Sequence, residues 1–180
     1  MITYKRLTST ESIDFSHVWD LYKTSFPENE RRNIKGQVHT LGLNNYYCQI
    51  VFKDDQFVGL LFWWDFETLR YIEHIAIRPD RQNEGLGSEL MKDFLSLADS
   101  KPILLEVEPA TTDIQKKRVR FYDKLGFKMN AYDYIQPAIQ KSTNPVALTI
   151  LSFPSQLSIE NYNAFITTYH SQIFSHMEIE

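Results

Sequence analysis

Cysteine is nearly missing: Cys48 stands alone among 180 residues. No internal disulfide can form, and a reducing compartment is expected. Cys48 lies in the strand-like run Tyr46-Tyr47-Cys48-Gln49-Ile50-Val51-Phe52, where a buried inert thiol outweighs a nucleophile. No apolar run approaches the roughly 18 residues of a membrane span. Met1–Arg6 lacks the apolar stretch of a signal peptide. A soluble, cytoplasmic protein with no membrane partner is expected. Basic charge is not in excess: 19 Lys and Arg face 23 Asp and Glu, a net charge of −4. That argues against nucleic acid, which calls for a clustered basic surface. His17, His39, His74, His170 and His176 show no ligand spacing, so no metal is expected. Hydrophobic residues make up 43% and aromatics 14%, enough for a core and too much for low-complexity disorder.

The length fits one domain, or one domain with an extension. Ile2–Leu7 reads as a strand. Thr10 or Ser12 then caps a helix carrying Phe15, Val18, Trp19, Tyr22 and Phe26. Glu28–Leu41 reads as a second, more polar helix stopped by Gly42. Tyr46–Lys53, Gln56–Phe66 and Thr68–Arg78 read as strands. In the last, strict alternation puts Tyr71, Glu73, Ile75 and Ile77 on one face and Ile72, His74 and Ala76 on the other. Gly85–Ala98 forms an amphipathic helix with Leu86, Leu90, Met91, Phe94, Leu97 and Ala98 on one side. Pro102–Val107 is a strand, and Asp113 caps a helix through Leu125, stopped by Gly126. Phe127–Ile135 and Val146–Phe153 are the last strands. Ser158–Phe174 carries a separate helical stripe. This order describes an α/β or α+β domain with a mixed sheet.

The most informative stretch is Ile75-Ala76-Ile77-Arg78-Pro79-Asp80-Arg81-Gln82-Asn83-Glu84-Gly85-Leu86-Gly87-Ser88. A strand ends, a polar loop turns, and a helix starts at two glycines. First-turn amides lack partners and lie at the positive end of the macrodipole, so phosphate oxygens satisfy both. Gly85 and Gly87 let a phosphate approach the main chain closely. The amides from Gln82 to Ser88 would form an anion-binding nest. A nucleotide-hydrolysing P-loop is absent, and the dinucleotide pattern is incomplete because position 90 is Leu.

Arg81-Gln82-Asn83-Glu84-Gly85-Leu86-Gly87-Ser88 resembles the R/Q-x-x-G-x-G/A signature of the GNAT superfamily of N-acetyltransferases. Tyr71–Ile77 looks like the family's cofactor-contacting fourth strand. Arg120-Phe121-Tyr122-Asp123-Lys124-Leu125-Gly126-Phe127 is similar to its R-F-Y-x-x-x-G-F helix end. The resemblance implies a mostly antiparallel sheet flanked by helices over residues 1–153. Residues 154–180 would be a helical extension, packed on the domain or joining two subunits in a monomer or homodimer. It implies acetyl-coenzyme A as cosubstrate and a small-molecule or peptide amine as acceptor. The cofactor residues it implies are Ile75, Ala76, Ile77, Gln82, Asn83, Glu84, Gly85, Leu86, Gly87 and Ser88. Gln115 holds the place where the family often has an Asn near the pantetheine arm. Arg118 replaces a small residue and would reach phosphate oxygens, unless Lys116, Lys117, Arg118 and Arg120 are simply a solvated helix face.

Acetyl transfer needs a neutral amine, and an aliphatic amine titrates near 10, so a base must remove its proton. The oxyanion formed on attack needs a hydrogen-bond donor. Glu73 is the expected base, its carboxyl raised by desolvation among apolar neighbours. His74 is the competing base. Tyr122 is placed by the resemblance near the cofactor sulfur, as the acid for the thiolate. Backbone amides of Ile75–Ile77 would bind the acetyl carbonyl, freed by a bulge there. Glu28, Glu30, Arg31 and Arg32 form either a substrate-selecting segment or a charged surface helix. Trp63, Trp64 and Phe66 line the acceptor pocket or belong to the core. A non-catalytic acyl-coenzyme A sensor on the same fold is the alternative function.

Overall fold

A computed structural model of the chain describes residues 1–96 and 100–178. The expected helix positions Leu97 and Ala98 lie outside the described residues.

The chain opens with β1 (Ile2–Leu7) and α1 (Ile13–Ser25). Ser12 starts α1 by accepting the Phe15 amide, and Pro27 lies just beyond its end. The expected second helix does not run from Glu28. A single turn at Glu28–Glu30 is followed by extended backbone at Arg31, and α2 spans only Ile34–Leu41. Two forces divide it: the Asn33 side chain accepts the Gly36 amide and starts a new helix, while Arg32 turns inward and is fully buried.

Next come β2 (Tyr46–Lys53), β3 (Gln56–Asp65) and β4 (Arg70–Ile77). The turn residues Asp54 and Asp55 adopt positive φ, which short polar side chains tolerate. Then follow α3 (Leu86–Ser96), β5 (Ile103–Val107) and α4 (Asp113–Lys124). The last expected strand pair is three strands: β6 (Lys128–Met129), β7 (Tyr134–Gln136) and β8 (Val146–Phe153). Buried Asn130 breaks the first of them. Its Nδ2 donates to Ser152 Oγ at 2.9 Å, and its Oδ1 accepts the Leu157 amide at 2.7 Å.

The strands run in the order β1-β2-β3-β4-β5-β8-β6, with β7 also on β8. Every pairing is antiparallel except β4–β5, which α3 connects as a crossover. One face is covered by α1 and the C-terminal helices, which bring Phe15, Tyr22, Phe165 and Ile173 onto Trp64 and Tyr71. The other is covered by α3 and α4, with Leu90, Met91 and Phe94 against Ile72 and Leu105. Each such side chain contributes roughly 1.5–3 kcal/mol by leaving water. Cys48 is buried, and burial pushes its thiol well up, so it is inert. Trp64 and Phe66 are core, and Trp63 stacks on Tyr47.

Two departures in β4 and β5 create the site. Phe62 pairs with His74 but Trp63 pairs with Ile72, so Glu73 is an extra residue, a bulge. The bulge overturns the expected alternation. Glu73 and His74 both turn toward the α1 face, where they meet Trp64 and Tyr22, while Ile72, Ile75 and Ile77 belong to the other core. The second departure is a split. β4 and β5 pair only from Arg70–Ile103 to Ile72–Leu105, and beyond that they diverge.

Candidate active site

The split is occupied by a cavity of about 610 Å³. Its walls include Ile75, Ala76, Ile77, Gln82, Phe26, Glu30, Gln136 and Leu148. Glu73, Glu106, Arg118 and Tyr122 lie along it. Arg78 N–H donates to Val58 O at 2.9 Å, across β3. Alternation along an antiparallel strand then turns the Ile75 and Ile77 main-chain groups to the opposite, open edge. Ile77 O is met there by Gln82 Nε2 at 3.2 Å.

Beside the cavity, Asn83 and Gly85 adopt positive φ, 68° and 78°. The Ser88 and Glu89 amides fold back onto Gly85 O at 3.0 and 3.1 Å, and the Gln82 amide reaches Pro79 O at 3.5 Å. The expected nest therefore narrows. Among the described residues, no acceptor meets the amides of Asn83, Glu84, Gly85, Leu86 and Gly87. A Cβ on Gly85 would meet nothing within 4 Å, so its open side faces free space. Leu86 contributes only main chain, since its side chain is buried in the second core. Arg81 is engaged by Glu84 at 2.9 Å and Arg78 by Asp80 at 2.7 Å, leaving amides rather than cations as the loop's anion donors. The residues fit a diphosphate.

Glu73 is not the desolvated base expected from its neighbours. Burial pushes its carboxyl up, but Arg32, with His74 and Trp64, more than reverses this and holds it below the ordinary carboxylate range. Arg32 grips both oxygens, Nη1 to Oε2 at 2.8 Å and Nη2 to Oε1 at 2.5 Å, and Trp64 Nε1 adds a third bond at 3.2 Å. Arg32 is itself fixed by the C-terminal segment, through Ile173 O at 3.1 Å and His176 Nδ1 at 3.2 Å. His74 is equally unsuited to the task. Burial pulls it down to about 4, and its Nε2 bonds Glu30 O at 2.8 Å.

The carboxylate the sequence reading missed is Glu106. Burial lifts it to about 7, against the pull of hydrogen bonds from Tyr134, Tyr71 and Gln136. Tyr71 Oη at 3.0 Å and Gln136 Nε2 at 2.6 Å both donate to Oε2. Oε1 is shut off from solvent and meets no partner among the described residues. A signal was present: Glu106 is the one charge in the otherwise apolar strand Ile103-Leu104-Leu105-Glu106-Val107.

Tyr122 is 7% exposed, and burial raises its phenol to about 12, so it keeps its proton at neutral pH. Arg118 Nη1 reaches across to Glu108 Oε2 at 2.9 Å, rather than forming part of a purely solvated face. The side chain of Gln115, expected near the pantetheine arm, is committed to the start of α4. Its Oε1 accepts the Thr111 and Thr112 amides at 3.0 and 2.8 Å, closing a capping box at the start of α4.

A sheet split beside a glycine-opened helix defines the class of mixed α/β domain to which the chain belongs. The sequence profile of the Acetyltransferase (GNAT) family matches residues 15–127. The chain belongs to that family, and its fold is the family's single α/β domain. YjbC of Bacillus subtilis (strain 168), whose own acetyltransferase assignment is provisional, is 31% identical over 97 residues, 53% of this chain and 50% of that protein. The chain thus spans about half the length of this curated relative. A provisionally assigned GNAT-family acetyltransferase of Bacteroides thetaiotaomicron superposes with a TM-score of 0.88 at 25% identity, covering 96% of this chain and 98% of that one. A GNAT-family acetyltransferase of Elizabethkingia anophelis, solved with acetyl-CoA bound, shares the fold at a TM-score of 0.56 and 16% identity, over 84% and 96% of the two chains. No helix among the described residues is long and apolar enough to cross a membrane.

Proposed function

We propose that the protein is an N-acetyltransferase that moves an acetyl group from acetyl-coenzyme A to an aliphatic amine. The observation that carries this reading is the split between β4 and β5. It brings an open strand edge, a carboxyl near 7 and a protonated phenol into one cavity, with the unpartnered loop amides following Gln82 on its wall.

The amides of residues 83–87 would hold the diphosphate, with Gln82 and Arg118 beside it and the Ile75 and Ile77 edge along the pantetheine arm. Acetyl-coenzyme A supplies the acetyl group as a thioester. Glu106 takes the first proton of the bound ammonium and passes it to solvent, leaving a neutral nitrogen. That nitrogen bonds to the acetyl carbon as the carbon–sulfur bond breaks. Tyr122 gives its proton to the departing sulfur and is restored by the second proton from nitrogen. Glu73 takes no part in proton transfer: a carboxylate gripped by Arg32 is a weak base. It shapes the wall by holding the bulge.

Free thiol measured with acetyl-coenzyme A and a panel of amines tests this reading. Thiol release that depends on an amine, with mass gained by that amine, is the expected result. Coenzyme A binding with no release for any amine would leave a sensor instead.

A further inference from the structure

The cavity walls carry more negative charge than the chain neutralises. Four carboxylates border it: Glu30, Glu73, Glu106 and Glu108. Arg32 pairs with Glu73, and Arg118 pairs with Glu108. Glu30 and Glu106 form no ion pair with any cation among the described residues. Glu106 faces only neutral donors: Tyr71 and Gln136 both donate to Oε2, and its buried Oε1 meets no geometric hydrogen-bond partner among the described residues. Glu30 borders the same cavity and is half-buried, its carbonyl tied to His74. Burial raises its carboxyl, the nearby Glu108 raises it further, and Arg118, already paired with Glu108, offsets this only in part. Arg31 does not border the cavity, and Arg32 is consumed by Glu73. Phe26, Pro27, Val146 and Leu148 add apolar wall to the same cavity.

Two half-buried carboxyls with no ion-pair contact of their own are costly to ionise, and a cation set between them offsets that cost. The reacting ammonium answers only one of them, the carboxyl that takes its proton. The other still lacks a partner, and an acceptor with its own carboxylate would add a third like charge. We infer that the acceptor is an aliphatic diamine, with one nitrogen presented to Glu106, a second protonated nitrogen held at Glu30, and no carboxylate. This rests on the acetyl-transfer reading above. The bonds and protons move as described there, and the second nitrogen stays charged throughout.

The test compares kcat/KM for alkane diamines, n-alkylamines of matched length and ω-amino acids, with acetyl-coenzyme A saturating. The wild type should prefer a diamine over its matched monoamine by about tenfold or more, which is the order expected of one partly desolvated charge pair. It should disfavour ω-amino acids by a similar factor. Glu30→Gln should collapse the diamine preference, mainly through KM. Glu30→Lys should invert it, favouring ω-amino acids. Coenzyme A binding by calorimetry checks that both variants are folded. Equal rates for monoamine and diamine, or a preference that survives both variants, would overturn the inference and leave acetyl transfer standing. Silence with every amine overturns both.

Discussion

Arg32 and Glu73 meet through two charged hydrogen bonds, of 2.8 and 2.5 Å, with side chains 0% and 3% exposed. The pair joins the segment after α1 to the bulge in β4, under a lid formed by Ile173 and His176. It decides which way the strand turns as it enters the cavity.

Removing one partner strands the other charge in the interior. Arg32→Met should therefore cost about 3–5 kcal/mol in urea unfolding. The acid limb of stability gives a second check. The carboxyl of Glu73 is lower in the folded chain than its ordinary 4.5, so its contribution is complete above that value and disappears as pH falls through the lowered folded value. Glu73→Gln should flatten that limb. A variant with unchanged acid sensitivity would contradict the pairing.

Tyr122→Phe keeps the ring packed among Phe121 and Phe127 and deletes the proton. We expect kcat to fall by roughly 10²-fold or more, with coenzyme A affinity kept. The wild type should show no alkaline decline from this residue below about pH 10, since burial places it near 12. Stopped assays between pH 6 and 10 check both points.

Gly85→Ala separates folding from binding. With φ at 78° the substitution strains the backbone, at about 1 kcal/mol, but its methyl meets no protein atom. Thermal stability should drop slightly, while coenzyme A affinity measured by calorimetry falls at least about tenfold, because the methyl intrudes where the diphosphate approaches the amides. Unaltered affinity would remove the loop from the site.

Gln115→Ala should behave in the opposite way. Losing the capping box costs about 0.5–2 kcal/mol of stability, and coenzyme A affinity should be unchanged. A large loss of affinity would return Gln115 to the cofactor site.

The parts of the site that depend on local pattern were legible in the chain. Gly85 and Gly87 announce the loop, and the run ending in Tyr122 announces α4 and its phenol. What escaped depends on partners distant in sequence. No periodicity shows that Glu73 is doubled against its neighbour strand, because the bulge is held by Arg32, and an arginine after Pro27 reads as surface until its depth is known. The lowering of the Glu73 carboxyl escapes sequence reading for the same reason. Desolvation could be inferred from apolar neighbours at both Glu73 and Glu106, but the neutralising guanidinium reaches only one of them. Gln115 was readable after all, since Thr112-Asp113-Ile114-Gln115 carries the capping-box spacing.

Glu106 is the group proposed to receive the amine's proton. The direct measurement is the pH dependence of kcat/KM for the wild type and Glu106→Gln with the same amine. The wild type should rise to a plateau through an ionisation near 7. The variant should lose that rise and fall about 10²–10⁴-fold on the plateau while still binding coenzyme A. An identical profile in both proteins would contradict it.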